Sequence, residues 1–345
     1  MQIQDLFGIQ LPVIQAPMAG SQGSALAIAV AEAGGLGSLP CAMLSAEALR
    51  KELTAIRAQT RKPFNVNFFC HVPPKPDAAR AAAWLALLAP YFDELGVDAT
   101  AIPAAPARAP FTVAIADMVE EFAPPVMSFH FGLPSVDLLA RVRSWGSMIL
   151  SSATTVEEAR WLESRGVDAI IAQGVEAGGH RGIFLSNDLS SQSTTLDLVL
   201  AIVSTVNVPI IAAGGIAGPQ DVALATHAGA AGVQVGTSYL LCPEATTSKV
   251  HRAALTSDAA QHTALTNVFS GRPARGIMNR LMRELGPMNA AAPPFPLAGT
   301  AVAALRARAE AQGCGDFSPL WAGQNSRAVR EVSAAVLTQE LAGGV

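Results

Sequence analysis

His180 stands at the centre of the run GVEAGGHRG (174–182). Glycines at that density let a backbone pass close to a flat ring and leave the imidazole projecting into the space beside it. Histidine is the side chain best poised to move a proton near neutral pH. The alternative is an ordinary surface-loop histidine. Glu176 and His180 are four residues apart, a metal-pair spacing on a helix, but the glycines argue against a helix. His130, in SFHFG (128–132), is the second candidate. Flanked by Phe129 and Phe131, it reads either as a satisfied core histidine or as a second pocket residue that faces a substrate. The amides of Asn67 and Gln173 could donate to and accept from the polar edge of a heterocycle, or could cap a loop backbone.

Eight short apolar runs must position these residues: 12–18, 36–40, 64–69, 126–131, 147–152, 169–173, 209–213 and 232–236. Each is nearly all apolar rather than alternating, as parallel strands covered on both faces are. The segments between them read as helices. Ser45 starts one, Thr155 to Glu158 is a capping box, and Pro219 sits in a first turn. AEAGGLG, ESRGVDAI and THAGAAGV each place glycine where a helix must stop. Eight strand–helix units predict an α/β fold, the closed (β/α)8 or TIM barrel, with an open doubly wound sheet as the alternative. Residues 71–125 add two helical patterns. Residues 241–320 predict a helical subdomain, a substrate lid over one end of a barrel made of 1–240 and 321–345. The last helix, about 326–342, would close the wall.

In such a barrel the active site lies at the C-terminal ends of the strands. Those ends carry Ala16, Pro17 and Met18, then Asn67, His130, Ser152, Thr154, Gln173, Gly214, Gly215, Gly236 and Thr237. None of the four lysines falls there, which disfavours a Schiff-base aldolase. No pair of carboxylates does either, which disfavours a glycosidase. No His/Asp cluster has metal-ligand character, so no metal is expected. Amides, glycines, a hydroxyl and two histidines suit a cofactor that carries the chemistry itself. AAGGIAGPQD (212–221) and VGTSYL (235–240) follow the last two strands, where this fold places phosphate. MAGSQGSA after the first strand lacks GxGxxG, so a dinucleotide is not supported. One phosphate and an amide-lined ring pocket fit FMN.

Half of the 345 residues are hydrophobic, 14% are charged and the net charge is -4. That composition supports a large core and offers no basic stripe for nucleic acid. Four cysteines without metal-like or CxxC spacing read as reduced thiols. The apolar stretch near 196–217 is interrupted by Asp197, Asn207 and Pro209, and reads as a buried helix and strand rather than a membrane span. A cytoplasmic protein without membrane attachment is expected, as a monomer or a homodimer.

QAPMAG (15–20), NVNFF (65–69), SFHFGLP (128–134), AQGVEAGGHRG (172–182), AAGGI (212–216), QVGTSYL (234–240), SGRPARG (270–276) and PLWAGQ (319–324) occur in this order. Together they resemble the nitronate monooxygenase family, formerly the 2-nitropropane dioxygenases, over nearly the whole chain. The resemblance implies FMN, molecular oxygen and a small nitronate or nitroalkane, such as propionate 3-nitronate. It implies one-electron reduction of the flavin and products that are a carbonyl compound with nitrite or nitrate. Carried over by position, Met18, Asn67, Gln173, Gly178, Gly179, Gly215, Gln234, Val235, Gly236, Thr237 and Gln324 would contact FMN, and His180 would be catalytic. The family's substrate-side aromatics map near Phe295, where this chain continues mostly with alanine. Two rival readings share the same features: an FMN-dependent NAD(P)H reductase of enoyl-thioester or quinone type, and a non-redox barrel that binds a phosphorylated ligand.

Overall fold

The computed structural model describes residues 2–102 and 109–344. All eight apolar runs form strands: β1 (Val13–Gln15), β2 (Gly37–Pro40), β3 (Phe64–Phe69), β4 (Val126–His130), β5 (Met148–Ala153), β6 (Ala169–Gln173), β8 (Ile210–Ala213) and β9 (Gly232–Val235). A short β7 (Gly179–His180) lies between β6 and β8. Their pairing runs β1-β9-β8-β6-β5-β4-β3-β2, parallel throughout. Leu36, just before β2, closes the circle: its N–H donates to Val13 O at 2.9 Å and its carbonyl accepts from Gln15 N at 3.0 Å. The sheet is therefore a barrel and not an open doubly wound sheet. Helices cover the outer face, and apolar residues from strands and helices share one large core.

The barrel interior is more polar than the all-apolar strands suggest. Asn65 Nδ2 donates to Ser38 Oγ at 3.0 Å and to Ser128 Oγ at 2.9 Å, and Asn67 Nδ2 donates to Ser128 Oγ at 2.9 Å. Most buried polar groups are paired in this way, and here β2, β3 and β4 are held in register by side chains as well as backbone.

Thr155 caps its helix by accepting from Glu158 N at 3.2 Å, half of the expected box. The other half is redirected. The buried Glu158 carboxylate accepts from Thr154 N at 2.7 Å and Phe184 N at 2.6 Å. A buried carboxylate takes the donors that lie nearest, and here these tie down the chain just after the His180 loop. The final helix is shorter than expected, Ala334–Ala342, because Ser333 caps it. It does pack against the helices Ser24–Glu32 and Pro219–His227, closing the wall.

The two helical patterns within 71–125 are the helices Ala78–Leu95 and Val113–Glu120; residues 103–108 of that stretch lie outside the described residues. Residues 241–320 correct the helical expectation in part. They hold the helices Lys249–Leu255, Arg280–Leu285 and Gly299–Ala311, and also β10 (Thr263–Thr266) and β11 (Ala274–Ile277). These two strands pair antiparallel, and β11 pairs with β7. A two-residue strand such as β7 has no stability alone, so the segment supplies it with a partner. A second core forms here, in which Trp84, Leu88 and Phe92 of the helix Ala78–Leu95 pack with Val302, Leu305 and Phe317. Among the described residues no helix is long and apolar enough to cross a membrane.

Candidate active site

A cavity of about 240 Å³ opens at the C-terminal ends of the barrel strands. It brings together Ala16, Pro17 and Met18 after β1, Asn67, His130 and Gln173 on β3, β4 and β6, and Gly178, Gly179 and His180 from the loop beyond. Gly214, Gly215, Gln234, Gly236 and Thr237 complete it from β8 and β9. Val235 lies instead inside the barrel wall. Gln324 is exposed and faces a neighbouring cavity with Glu176 and Arg327, while Gly323 and Asn325 on either side of it line the main one. Phe295 sits behind His180 in a buried cluster with Phe69 and Phe131.

The His180 loop is held by its own sequence. A Cβ at Gly178 would stand 2.6 Å from Ala322 C and Gly323 N, so only glycine lets the loop meet the segment 320–325. Gly179 adopts φ 73°, where a side chain would be strained. Arg181, next to the histidine, is fully buried. Its guanidinium donates to Gln173 O, Gly174 O and Gln192 Oε1, each at 2.7 Å. The loop is thus wrapped around its own arginine. Gln173 does what an amide facing a loop can do: Nε2 donates to His180 O at 3.0 Å and Oε1 accepts from Gly182 N at 2.7 Å. From the other side, Arg275 Nε donates to Val175 O at 2.8 Å.

His180 Nε2 lies 2.9 Å from Ser270 Oγ. That hydroxyl also bonds to Arg272 O at 3.1 Å and accepts from Arg272 N at 3.3 Å. A hydroxyl has one proton, and the carbonyl must receive it. Ser270 Oγ therefore accepts from His180, which assigns the neutral imidazole proton to Nε2 and the lone pair to Nδ1. His130 is the satisfied histidine of the two readings, although it also lines the cavity. Its Nε2 lies 3.1 Å from His180 O and its Nδ1 lies 3.0 Å from Ser152 Oγ. The carbonyl can only accept, so Nε2 carries the proton and Nδ1 accepts from the serine. Burial, the largest influence, pushes its pKa down to about 4. A neutral His130 therefore positions the His180 backbone.

His251, which also lines the cavity, is likewise pushed down to about 4, chiefly by burial. Both rings are neutral in the folded protein, while an unfolded chain protonates them near 6.5. Between about pH 6.5 and 4 the unfolded state then binds more protons than the native state. The stability they contribute is full above 6.5 and is lost as the pH falls through that window, by about 3 kcal/mol for each ring. Thermal melts from pH 7.5 to 4.5 should show a falling Tm; a flat profile would contradict this account of the two histidines.

At the other end of the cavity, Gly215 has φ 69° and Gly214 φ 123°. This turn and the Gly236–Thr237 turn are joined by the segment 323–325. Gly323 N donates to Thr237 Oγ1 at 3.0 Å, Gln324 N to Glu176 O at 2.9 Å and Asn325 Nδ2 to Gly215 O at 2.9 Å. Ser270, Trp321, Gly323 and Asn325 were not singled out from the sequence. SGRPARG and PLWAGQ carried the signal for the first three and Asn325 lies one residue beyond, but nothing local tells which residue will reach a site formed elsewhere.

The residues present fit FMN. Gln234 Oε1 is buried at the cavity wall without a hydrogen-bond partner. It calls for an N–H or O–H donor of the kind a ring edge or ribityl hydroxyl offers. The open Cβ position of Gly179 leaves room for a flat group. Among the described residues no group of three or more His, Cys, Asp or Glu is arranged to hold a metal ion.

Residues 1–344 match the family model described as nitronate monooxygenase. A nitronate monooxygenase of Paraburkholderia phytofirmans is 41% identical over 343 residues, 97% of this chain and 92% of that one. One of Pseudomonas aeruginosa is 41% identical over 342 residues, 97% and 96% of the two chains. The solved structure of a nitroalkane oxidase from Streptomyces ansochromogenes superposes with a TM-score of 0.90 at 37% identity, covering 99% of this chain and 96% of that one. FabK from Thermotoga maritima is more distant, with a TM-score of 0.73 and 25% identity over 98% and 94% of the chains. With its histidine loop, its paired glycine turns and this agreement over nearly its full length, the chain belongs to the nitronate monooxygenase family and is an enzyme of that family.

Proposed function

We propose that the chain binds FMN in this cavity and oxidises alkyl nitronates with molecular oxygen to a carbonyl compound and nitrite or nitrate. The observation that carries this reading is a single cavity with one histidine held over one end and two backbone turns, joined by 323–325, at the other. The family to which the chain belongs is generally flavin-dependent. When bound, FMN would supply the electron acceptor for the carbon acid and the partner for oxygen. Gln234 and Asn67 would meet the ring or ribityl polar atoms, and Gly214, Gly215, Gly236 and Thr237 the phosphate, with Gln324 at its outer edge. Met18, with Ala16 and Pro17, would line one face of the flat group.

The protein's own part is the proton and the fit. Ser270 holds the His180 proton at Nε2, so His180 takes a substrate α-proton at Nδ1. A nitronate has already lost that proton, and His180 then orients the anion. Ser270→Ala should therefore lower kcat/KM for neutral nitroalkanes about tenfold, the size expected for losing one hydrogen bond of about 1–1.5 kcal/mol. Nitronate turnover should stay within about twofold of the parent. An equal loss on both substrates would show that Ser270 supports the loop and not the tautomer.

The reading is tested by the spectrum of the purified protein and by anaerobic mixing. A yellow, FMN-containing protein should lose its oxidised flavin spectrum on mixing with nitronate and hardly on mixing with NADH or NADPH, and oxygen uptake should follow addition of ethyl nitronate. Rapid bleaching by NAD(P)H would favour the reductase reading. A colourless protein that FMN does not reconstitute would favour a non-redox ligand.

A further inference from the structure

Among the described residues, three guanidiniums stand behind the His180 loop, all donating to neutral oxygens. Arg181 holds two carbonyls and the Gln192 amide oxygen, Arg275 donates to Val175 O and Thr263 Oγ1, and Arg272 donates to Ile183 O. The Arg272 Nε is buried without a hydrogen-bond partner. The carboxylates near them are occupied by neutral donors too: Glu158 by Thr154, Phe184 and Leu185, and Glu176 by Thr195. Three positive charges thus face two negative ones without a contact ion pair among them.

Arg272 is the charge best placed to act on the histidine. Its Cζ lies 3.9 Å from the centroid of Phe131, whose ring lies 6.0 Å from that of His180 and 4.5 Å from that of His130. The charge is therefore within about 10 Å of the imidazole, and the ring they share is buried. Its field reaches the neighbouring histidine: burial acts most strongly on His130, and Arg272 and Arg181 add to the lowering of its pKa. Burial brings Arg272 itself down to about 10, which leaves it charged near neutrality. The other groups around His180 do not offset this charge. Beyond Trp321, Arg306 and Glu310 are paired at 2.8 Å. His71, against Phe295, adds either no charge or a positive one, as do His130 and His251.

Resting on the nitronate reading above, we propose that Arg272 is a positioning residue that acts through the potential it sets at His180. A positive potential draws the anionic nitronate to the imidazole. It also disfavours the imidazolium, so the ring stays a base to lower pH. At an effective dielectric constant near 20, a charge about 10 Å away changes either equilibrium roughly tenfold. Ser270 is tied to Arg272 through backbone atoms, so changing the side chain leaves the His180 proton assignment in place.

The test compares Arg272→Met and Arg272→Lys with the parent, each loaded with FMN. In the methionine variant KM for ethyl nitronate should rise about tenfold, with kcat within about twofold. The acid limb of kcat/KM for nitroethane should move up by about one pH unit. Lysine keeps the charge and should restore most of both. In NMR of histidine-labelled protein the His180 titration should move upward in the methionine variant and return in the lysine variant. Unchanged KM, acid limb and ring titration in the methionine variant would overturn the proposal. Equal losses of kcat, FMN and Tm in both variants would make Arg272 a clamp on Phe131 and Ile183, and would overturn it as well. An enzyme that oxidises no nitronate would overturn the functional reading, and the ring titration would then decide the potential on its own.

Discussion

Replacing His180 by asparagine should lower kcat/KM for neutral nitroalkanes by about 10²–10⁴-fold. Nitronates should lose much less, on the order of tenfold or below. The difference follows from which substrate still has a proton to lose. His180 Nε2 is held by Ser270, itself 3% exposed and tied to the Arg272 backbone, so the ring is oriented before substrate arrives. His130 and Gln173 fix the histidine's own carbonyl. Asparagine can fill much of this space and bond to Ser270, but it has no basic nitrogen. Its loss should therefore fall on the proton-transfer step, with FMN content unchanged. The measurement is oxygen uptake for nitroethane and for its nitronate, side by side. Equal activity of the variant on both would remove His180 from the role of base.

Arg181→Met should cost on the order of 3–5 kcal/mol of stability. Three acceptors, Gln173 O, Gly174 O and Gln192 Oε1, would each lose a donor at about 1–3 kcal/mol apiece. Burial lowers the pKa of this arginine to about 10, which leaves it charged near neutrality. The carbonyls are the partners that stabilise that charge. Arg181 itself and Gly174 belong to the loop that carries His180, and Gln173 is the strand residue it leaves from, so activity should fall together with Tm. Arg181→Lys should retain the charge but not the three-way fork, and should lie between the two. Thermal melts with parallel FMN quantification check this. A methionine variant with parental Tm would mean that the loop is held by its other contacts, with β11, Arg275, Gln173 and His130.

Much of the barrel was legible in the chain. Eight apolar runs separated by helical patterns with glycine stops correspond to the eight barrel strands, with ends within a few residues. This works because a parallel strand buried on both faces can hardly be anything but apolar, and that constraint is local. The residues at strand ends were legible for the same reason: once the strands are placed, topology puts their C-terminal ends together. Met18, Asn67, Gln173, Gly215 and Gly236 line the cavity without any further information.

Other features depended on partners distant in the chain. β7 is two residues long and exists because Ala274 and Arg275 come alongside it. The 241–320 segment read as helical because two four-residue strands have too little pattern to outweigh the helices around them. The Glu158 carboxylate left its capping box for Phe184 N, a donor 26 residues away. Whether His130 was a core residue or a pocket residue turned on Ser152 and His180, neither of them its neighbour in sequence.

The loop GVEAGGHRG joins the two kinds of information. Its composition alone established that the backbone would be free to turn and that an imidazole would stand at its centre, since glycine's conformational range and histidine's chemistry are properties of the residues themselves. The tertiary structure alone decided which nitrogen of His180 holds the proton, which carbonyls Arg181 gathers and which aromatic rings pack around the imidazole. Those outcomes depend on hydrogen bonds and packing between residues up to about a hundred positions apart, such as His180 with Ser270, and the geometry of such pairs exists only once the barrel has closed.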